Sequence, residues 1–508
     1  MTFRQASWKE PLIFELSKIG KSGILEWKPE EEITKTVGDP TRLVPAALRG
    51  ERPKLPEVSE VEVVRHYTRL SQENYAVDLG IYPLGSCSMK YNPKICDVIA
   101  NSPKIQNLHP YQDEAHAQGI LKILYDLSLQ LVEITGMHKF SLQPSAGAHG
   151  ELAGALIIRA YHASKKALNL KDEMIVPDSA HGTNPASATM AGFKTVVVPS
   201  DSEGCVNIDA LRATLTERTA GLMLTNPNTL GVFERNILRI SKMVHKAGGL
   251  LYYDGANLNA LLGKTRPGDM GFDIVHVNIH KTFATPHGGG GPGAGPIGVR
   301  EELEQFLPVP TVESNGNRYF LDYDRPHSIG KVKGFYGNVS VLVRAYAYLL
   351  CLGAEGLEEV ANLSVLNANY LAKKISNVRG YSVPYAKGVP RKHELVASAE
   401  TMKRETGVRA LDISKRLLDY GVHAPTIYFP HTVSEALMIE PTETESKKEL
   451  DKLVNAFAET SKEAYCEKAT VIEAPHNTSV GRINEVAASH PRTMCLSWKM
   501  YREREDNR

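Results

Sequence analysis

The sequence predicts an α/β protein with a mostly parallel central sheet, a smaller C-terminal α/β domain and an N-terminal arm. Short β-rich runs alternate with helical segments between residues 143 and 295, which is typical of parallel strands joined by crossover helices on both faces of a sheet. Small and polar residues follow each of these strands. Because ligands of such sheets bind outside the carboxyl ends of the strands, these residues indicate a binding site.

The first 115 residues are rich in proline and turn residues and contain one convincing helix, at 59–70. We therefore expect an arm over residues 1–115, a large domain over 116–310, and a small domain with a tail over 311–508. A clear amphipathic helix begins the large domain, because apolar residues recur there at helical spacing. These residues are Ile120, Ile123, Leu124, Leu127 and Leu131.

The remaining elements follow in order along the chain. A turn at 143–147 opens a helix that runs to residue 160, and a helix is predicted at 237–247. The predicted strands lie at 174–177, 195–199 and 221–226, followed by two apolar strands that end at Asp254 and Lys281. Beyond residue 310, helices are predicted at 339–352, 356–378 and 406–420, and the tail from 474 is polar and irregular.

Composition excludes several classes of function. The 508 residues carry a net charge of +1, which gives no field for attracting nucleic acid or an anionic membrane. The N-terminus has no apolar signal stretch, and the longest apolar run, 345–352, is too short to span a bilayer. Six scattered cysteines form no CxxC pair, so we expect a cytoplasmic protein without a metal site or a disulfide framework.

The two strand ends at Asp254 and Lys281 carry the chemistry. Lys281 is followed at once by a glycine-rich run, which lets the backbone approach a bound cofactor closely. Pyridoxal phosphate (PLP) needs a lysine to hold its aldehyde and an acid to keep its pyridine nitrogen protonated. A lone lysine is most often a surface charge, but the pair makes PLP the leading hypothesis.

Further candidates surround this pair. The small residues at 145–147 open a helix, whose free N–H groups favour a phosphate, although an ordinary helix cap is the alternative. His181 is predicted as a catalytic residue beside Lys281 and Asp254, because it could stack on the cofactor ring with Ala256 on the other face. The alternative is an ordinary polar group. Asn226 could contact the cofactor, or belong to an Asn-Pro turn. The predicted cofactor ligands are Ser145, Ala146, Gly147, His181, Asn226, Asp254, Ala256, His280 and Lys281, and His287 and Thr285 could reach the phosphate or the substrate.

With these residues in place, the chain resembles the P-protein family of the glycine cleavage system. The narrower resemblance is to the C-terminal-half subunit of the form that is split over two chains. Ser88 and Tyr91 depart from the commoner Thr and Leu without touching the chemistry. The motifs that carry the resemblance are YPLGSCSMKYNP (82–93), QPSAGAHGE (143–151), HGTNPA (181–186), NPNTLGVFE (226–234), NIHKTF (278–283), YGN (336–338) and MIEPTE (438–443).

This resemblance implies an aspartate-aminotransferase-like fold with Lys281 as the Schiff-base lysine. It also implies that glycine is decarboxylated and that its aminomethyl group passes to the lipoyl arm of the H-protein. Contacts to the glycine carboxylate are then expected from Ser86, Lys90 and His287. The family further implies a heterotetramer, two plus two, with the N-terminal-half subunit.

Two other classes stay open at this point. Another PLP enzyme, such as an amino-acid decarboxylase or a cysteine desulfurase, would use the same lysine and acid. A desulfurase needs a catalytic cysteine on a flexible loop, and none of the six cysteines lies in an obvious one. A non-catalytic scaffold subunit would need neither Asp254 nor Lys281, so their presence speaks against it.

Overall fold

The structure, a computed structural model, describes residues 3–21, 23, 29–50, 55–109, 111–286, 293–494, 497, 500 and 503. Its contacts divide the chain into one unit of Val77–Ala474 and another that combines Met1–Ala76 with Pro475–Arg508. The predicted boundary at 115 is therefore displaced, because Ile81 and Cys96 pack into the cores of the larger unit. The further division into domains of 116–310 and 311–508 stays a prediction.

Helices occupy most of the positions that the apolar periodicity predicts. The α-helices of the described residues are α1 (Glu31–Val37), α2 (Glu60–Gln72), α3 (Lys94–Ala100), α4 (Pro103–Gln106), α5 (Gln118–Thr135), α6 (Gly147–Ser164), α7 (Thr183–Met190), α8 (Ile208–Thr214), α9 (Ile237–Lys246), α10 (Ile279–Thr282), α11 (Val339–Ile375), α12 (Glu400–Thr406), α13 (Ala410–Asp419), α14 (Lys447–Cys466), α15 (Lys468–Ile472) and α16 (Glu485–Ser489).

Helix α11 joins the two helices predicted at 339–352 and 356–378. Gly353 adopts φ 62°, outside the helical region, and breaks α11 there. By length and composition alone α11 could cross a membrane. Leu342, Ala345 and Leu371, however, are fully buried in the cores of the protein, so we interpret α11 as a broken core helix.

The strands form a large mixed sheet, a three-stranded sheet and a hairpin. The large sheet has the order β1-β7-β6-β5-β4-β2-β3, the small sheet has the order β10-β12-β11, and β8 pairs with β9. The strands are β1 (Lys139–Ser141), β2 (Glu173–Pro177), β3 (Lys194–Val198), β4 (Thr219–Thr225), β5 (Leu250–Gly255), β6 (Ile274–Val277), β7 (Ile297–Val299), β8 (Thr311–Ser314), β9 (Tyr319–Asp322), β10 (Leu395–Ser398), β11 (Thr426–Ile427) and β12 (Ala436–Ile439).

The predicted parallel sheet is present, with one strand reversed. Strands β3, β2, β4, β5 and β6 are parallel neighbours, and β7 runs antiparallel to both β6 and β1. In the register, Thr225 pairs with Asp254 and Asp254 pairs with His276. The carboxyl ends of three neighbouring strands therefore bring these polar side chains to one edge.

Apolar packing on both faces holds this sheet in place. Leu251 and Tyr253 of β5 pack into one core with α5, α9 and α11, whereas Leu250 and Tyr252 pack on the opposite face with α6 and α7. This explains why the strands are continuous apolar runs rather than alternating ones. A separate core lies between the three-stranded sheet and helices α12 to α15.

The segment 84–90 is tied to the three-stranded sheet and its following loop. Gly85 N donates to Met438 O at 3.1 Å, and Ser88 N donates to Glu440 Oε2 at 3.0 Å. Lys90 is 1% exposed, and its Nζ donates to Asn259 Oδ1 (2.8 Å), Thr282 O (3.0 Å) and Glu443 Oε1 (2.7 Å).

The structure therefore does not support Lys90 as a substrate contact. An ammonium group has three donors, and all three of those on Lys90 are used inside the protein. Its role here is to hold the 84–90 segment against the sheet domain.

Lys90→Met is expected to lower stability strongly, because it leaves the buried Glu443 carboxylate without its cation. Breaking a buried ion pair in this way costs about 3–5 kcal/mol. The matched control is Lys94→Met, which removes an exposed ion pair with Asp78 worth about 1 kcal/mol or less. Urea unfolding of both variants, followed by circular dichroism, measures the difference. Equal midpoints for the two variants would contradict the structural role of Lys90.

Candidate active site

A cavity of about 490 Å³ lies at the carboxyl edge of the parallel strands, within the range that small-molecule sites occupy. Its walls come from distant parts of the sequence. They include the 85–87 loop, the start of α6, the residues that follow β2, β4, β5 and β6, and residues 393, 394, 426 and 429. Binding groups from the whole of Val77–Ala474 therefore meet at one place.

Asp254 is a buried anion at the wall of this cavity. It is 2% exposed, its Oδ2 accepts a hydrogen bond from Asn184 Nδ2 (2.8 Å), and its Oδ1 accepts one from Ala256 N (3.0 Å). Burial by itself raises the pKa of Asp254, but the His276 ring, these two donors and the Lys281 ammonium together hold it below its ordinary value. The carboxylate is thus charged at neutral pH.

His276 lies beside Asp254 on strand β6, and Tyr252 of β5 contacts His276. Nε2 of His276 is 3.5 Å from Asp254 Oδ1, and its Nδ1 is 2.5 Å from the Tyr252 hydroxyl oxygen. Burial lowers the pKa of His276 and raises that of Tyr252 well above its ordinary value. His276 therefore contacts Asp254 from the neighbouring strand β6 and is itself held by Tyr252.

A second buried carboxyl, Glu151 of α6, also lines the cavity. One of its oxygens lies within 4.8 Å of an Asp254 oxygen. Its Oε1 is 2.8 Å from Thr183 Oγ1, and its Oε2 is buried without a hydrogen-bond partner among the described residues. Burial, and then the Asp254 charge, raise the pKa of Glu151 to about 8. Glu151 is thus neutral at pH 7 while Asp254 is charged.

Lys281 enters the cavity from the short helix α10. Strand β6 ends at Val277 and α10 spans Ile279–Thr282, so the lysine lies one turn beyond the predicted strand end. Its side chain is half-buried and lines the cavity. The positive charge on Lys281 lowers the pKa values of Asp254 and Glu151, so the amine is electrostatically coupled to both acids.

His181 lines the cavity between β2 and α7. Its Nδ1 is 2.9 Å from Thr183 Oγ1, and its ring meets that of Phe429 edge-on at 5.5 Å. Burial lowers the pKa of His181, so the ring is neutral at pH 7. Ala256 and His280, both predicted cofactor ligands, also line the cavity.

The start of α6 opens into the cavity. Ala146 and Gly147 line the cavity, and among the described residues no side chain caps the first N–H groups of this 18-residue helix, which leaves them free to face an anion. A Cβ atom on Gly147 would lie 2.3 Å from Asn278 Oδ1, which requires glycine here. Ser145 differs from its prediction, because its hydroxyl bonds His149 Nδ1 at 3.1 Å instead of lining the cavity.

Two further predicted residues lie away from the cavity, and a third is undescribed. Asn226 is fully buried, and its Oδ1 accepts a hydrogen bond from Glu234 N at 2.9 Å, so its side chain braces the loop after β4. Thr225 and Pro227, its neighbours, line the cavity in its place. Thr285 is 1% exposed and does not line it. His287 lies outside the described residues.

Several lining residues have no signal in the local sequence. His393, Glu394, Thr426 and Phe429 follow Lys281 by more than a hundred residues and reach the cavity only through the fold. Ser86, a predicted substrate contact, does line it, and its N–H donates to Glu394 Oε2 at 3.1 Å. Hydrogen bonds from the 84–90 segment to Glu394 and to strand β12 bring these distant regions together, and no spacing in the sequence indicates them.

Cys87 also lines the cavity, although no cysteine is expected in an obvious catalytic loop. Burial raises the pKa of the Cys87 thiol above its ordinary value, with the Glu440 and Glu394 charges adding to this effect. The side chain is therefore a neutral thiol at pH 7, without the thiolate character of catalytic cysteines.

Two buried clusters have the spacing of metal ligands, namely Glu151 with Asp254 and His276, and His393 with Glu394 and Glu440. Protein donors already occupy most of these oxygens. Glu440 alone accepts hydrogen bonds from Ser88 and Asn257. The predicted absence of a metal stays a prediction.

These groups fit pyridoxal phosphate. The cavity contains one amine that can bond an aldehyde, one buried anion that can hold a protonated ring nitrogen, and a helix N-terminus that can bind a phosphate. The start of α6 packs closely against Asn278, because Gly147 has no Cβ atom between them. The roles of the individual residues stay proposals.

Comparison with known proteins agrees with this geometry. Residues 32–318 match the family model described as the glycine cleavage system P-protein, and residues 360–480 match the glycine dehydrogenase C-terminal domain. A relative from Pyrococcus abyssi, named probable glycine dehydrogenase (decarboxylating) subunit 2, is 60% identical over 504 residues, which cover 99% of this chain and 98% of the relative. A relative of the same name from Caldanaerobacter subterraneus subsp. tengcongensis is 55% identical over 493 residues, covering 96% and 98%.

Solved structures share the fold. A glycine decarboxylase (P-protein) of the glycine cleavage system in inhibitor-bound form has a TM-score of 0.70 and 19% identity, over 86% of this chain and 100% of that one. A cysteine desulfurase from Escherichia coli has a TM-score of 0.57 and 17% identity, over 77% and 97%. The predicted aspartate-aminotransferase-like fold is confirmed, and the chain belongs to the glycine cleavage system P-protein family.

Proposed function

We propose that this chain is the lysine-bearing subunit of a PLP-dependent glycine dehydrogenase. It decarboxylates glycine, releases CO₂ and passes the aminomethyl group to the lipoyl arm of the H-protein. The observation that carries the proposal is the meeting of Lys281 and the ionised Asp254 in one cavity. Membership of the family and the name of the relatives, glycine dehydrogenase (decarboxylating), support the reaction.

The residues that would hold the cofactor follow from the site. Lys281 would bond the aldehyde carbon, Asp254 would accept a hydrogen bond from the ring nitrogen, and the N–H groups at Ala146 and Gly147 would bind the phosphate. When bound, PLP supplies an electron sink for the pair left on the glycine α-carbon after CO₂ departs. Asp254 suits its role because a buried, multiply hydrogen-bonded carboxylate keeps its charge when the site closes.

Glycine places a particular demand on the chain. It has no side chain, so contacts to its carboxylate must set its orientation. Ser86 lies in the cavity on a loop that Glu394 holds by a hydrogen bond, and we retain it as a carboxylate contact. A largely buried wall also excludes water, which would otherwise protonate the α-carbon before the acceptor arrives.

The competing functions are less well supported. A desulfurase needs a nucleophilic thiolate, whereas Cys87 lies in the cavity as a partly buried thiol with a raised pKa. A scaffold subunit would have no need of an ionised acid and an amine in one cavity. Decarboxylation uses both groups, and it requires nothing of Cys87.

Borohydride reduction of the PLP-loaded chain, followed by peptide mapping, is expected to find the pyridoxyl group on Lys281. Lys281→Ala is expected to abolish exchange of bicarbonate into glycine. The thermal midpoint of unfolding should change no more than for an ordinary surface substitution, because the half-buried side chain serves chemistry rather than the core. Lys333 is the alternative lysine to inspect, since it is half-buried and bonds Asn338, whose side chain reaches the backbone just before α6. A label on Lys333 would refute the assignment.

Asp254→Asn is expected to lower the exchange rate by roughly a hundredfold or more, comparable to losing one preorganised electrostatic contact. The substitution keeps the shape but removes the charge that holds the ring nitrogen protonated. Asp178→Asn is the matched control, because Asp178 follows β2 at the same sheet edge, is exposed and does not line the cavity. Loss of the same size in both variants would show that the effect is not specific to the cavity.

The relatives are named subunit 2, which supports a partner subunit for this chain. We propose a cytoplasmic heterotetramer with the N-terminal-half P-protein subunit, two plus two, that receives the lipoylated H-protein. Enzymes of this fold usually complete each active site at a subunit interface, and we propose that the 85–87 loop at the cavity wall lines a pocket shared with the partner subunit.

The chain alone is expected to bind PLP but to decarboxylate glycine poorly, with activity appearing when the partner subunit is added. Exchange of labelled bicarbonate, measured with and without the lipoylated H-protein, gives both readouts, and sedimentation gives the stoichiometry. A purified homodimer with full activity would contradict the heteromer.

A further inference from the structure

Three residues of the cavity wall form a hydrogen-bonded chain that the reaction described above does not use. Glu151 Oε1 is 2.8 Å from Thr183 Oγ1, and Thr183 Oγ1 is 2.9 Å from His181 Nδ1. The N–H of Thr183 also points to His181 Nδ1, at 3.4 Å. All three residues line the cavity.

The donors of this chain can be assigned in turn. A backbone N–H can only donate, so the 3.4 Å contact from the Thr183 N–H presents His181 Nδ1 as an acceptor. With Nδ1 as an acceptor, the Thr183 hydroxyl at 2.9 Å donates to it as well. The hydroxyl has one hydrogen and would give it to Glu151 Oε1 if that carboxyl were ionised, so the 2.8 Å bond in this arrangement needs a proton on Glu151.

The surroundings of Glu151 favour the same proton. Its other oxygen, Oε2, is buried without a partner among the described residues, a position that suits a neutral carbonyl far better than a carboxylate. Asp254, within 4.8 Å, takes the negative charge because it receives more donors, and two buried carboxyls this close do not both ionise.

We propose that Glu151 is a positioning residue that holds a proton and, through Thr183, fixes His181 as the tautomer with hydrogen on Nε2. The neutral ring of His181 then has one N–H, at Nε2, for a ligand in the cavity, and its orientation is set from behind. This inference rests on the proposed function only for the identity of that ligand, the PLP ring or the glycine bound to it.

The hydrogen bonds that link Glu151, Thr183 and His181 are expected to change with pH. The titratable groups that face Glu151 are Asp254 and Tyr252 on β5, His276 on β6, Lys281 on α10 and, through Thr183, His181. The Glu151 pKa is raised to about 8, so the proton is present below that pH and lost above it. An ionised Glu151 accepts the Thr183 hydroxyl hydrogen, so the Thr183 oxygen becomes an acceptor. His181 Nδ1 then donates to that oxygen at 2.9 Å, which replaces the longer 3.4 Å contact from the Thr183 N–H.

Nitrogen NMR of the full-length chain, labelled with ¹⁵N-histidine and free of PLP, tests the proposal. The His181 signal is identified by its loss in His181→Gln. We expect the Nε2–H tautomer at pH 7, with a change to Nδ1–H as the pH rises through about 8. In Glu151→Gln, whose amide donates to Thr183 at every pH, the change should be absent. An Nδ1–H tautomer at pH 7, or an unaltered transition in Glu151→Gln, would overturn the proposal.

Variants of Thr183 separate positioning from simple structural damage. Thr183→Val removes the hydroxyl that links Glu151 to His181 and should lower kcat/KM for glycine about tenfold, the effect of one positioned hydrogen bond. Thr183→Ser keeps a hydroxyl and should restore the tautomer and most of the rate. Thr189→Val is the control, because Thr189 is on the same helix and its partners in the described part of the chain, Pro185 O and Thr195, lie outside the cavity. The proposal fails if Thr183→Val and Thr189→Val give the same tautomer and the same rate.

The pH profile of the loaded enzyme adds a second readout. The ratio of the exchange rates at pH 9 and pH 7 should be higher in Glu151→Gln than in the unchanged enzyme, and an equal ratio would contradict the role of Glu151. These outcomes are distinct from failure of the proposed function. The tautomer is measured without cofactor, whereas a failed function would leave PLP unattached to Lys281.

Discussion

The buried charge of Asp254 is the constraint on which the rest of the site depends. A carboxylate that is 2% exposed is stable only if the protein supplies donors around it. These donors come from separate elements, with Asn184 on α7, Thr225 at the end of β4 and the Ala256 N–H after β5. The parallel register sets β4, β5 and β6 side by side. The charge, the register and the packing of α7 therefore belong to one arrangement, and a shift in any of them would expose or unpair the acid.

A second arrangement brings the far end of the sequence to the same cavity. The 84–90 segment pairs with β12 and is held by the carboxylates Glu440 and Glu443. Its polar bonds are buried, so they orient the segment more than they add net stability. Because Glu394 holds the Ser86 N–H, the loop that lines the cavity is positioned by the small sheet rather than by the large one. Relative movement of the two sheets would thus change the shape of the cavity wall.

Much of the fold and the centre of the site could be predicted because their signals are local. Continuous apolar strands ending in Asp254 and near Lys281, and the small residues that open α6, carry their meaning in a few adjacent positions. The failures are cases in which tertiary contacts decide. Asn226 follows a strand as expected, yet its side chain turns to Glu234, and Lys90 is drawn inward by three acceptors from distant segments. Glu151 lies within a predicted motif, but its protonation depends on Asp254, which no spacing in the sequence reveals.

Lys281 and Asp254 are proposed to hold the two ends of one cofactor, and a crystal structure of the chain with PLP would show whether they do. We expect continuous density from Lys281 Nζ to the cofactor's aldehyde carbon, the ring nitrogen within hydrogen-bonding distance of an Asp254 oxygen, and the phosphate at the start of α6. A cofactor attached to Lys281 with its ring nitrogen turned away from Asp254, or one bound outside this cavity, would refute the proposed roles.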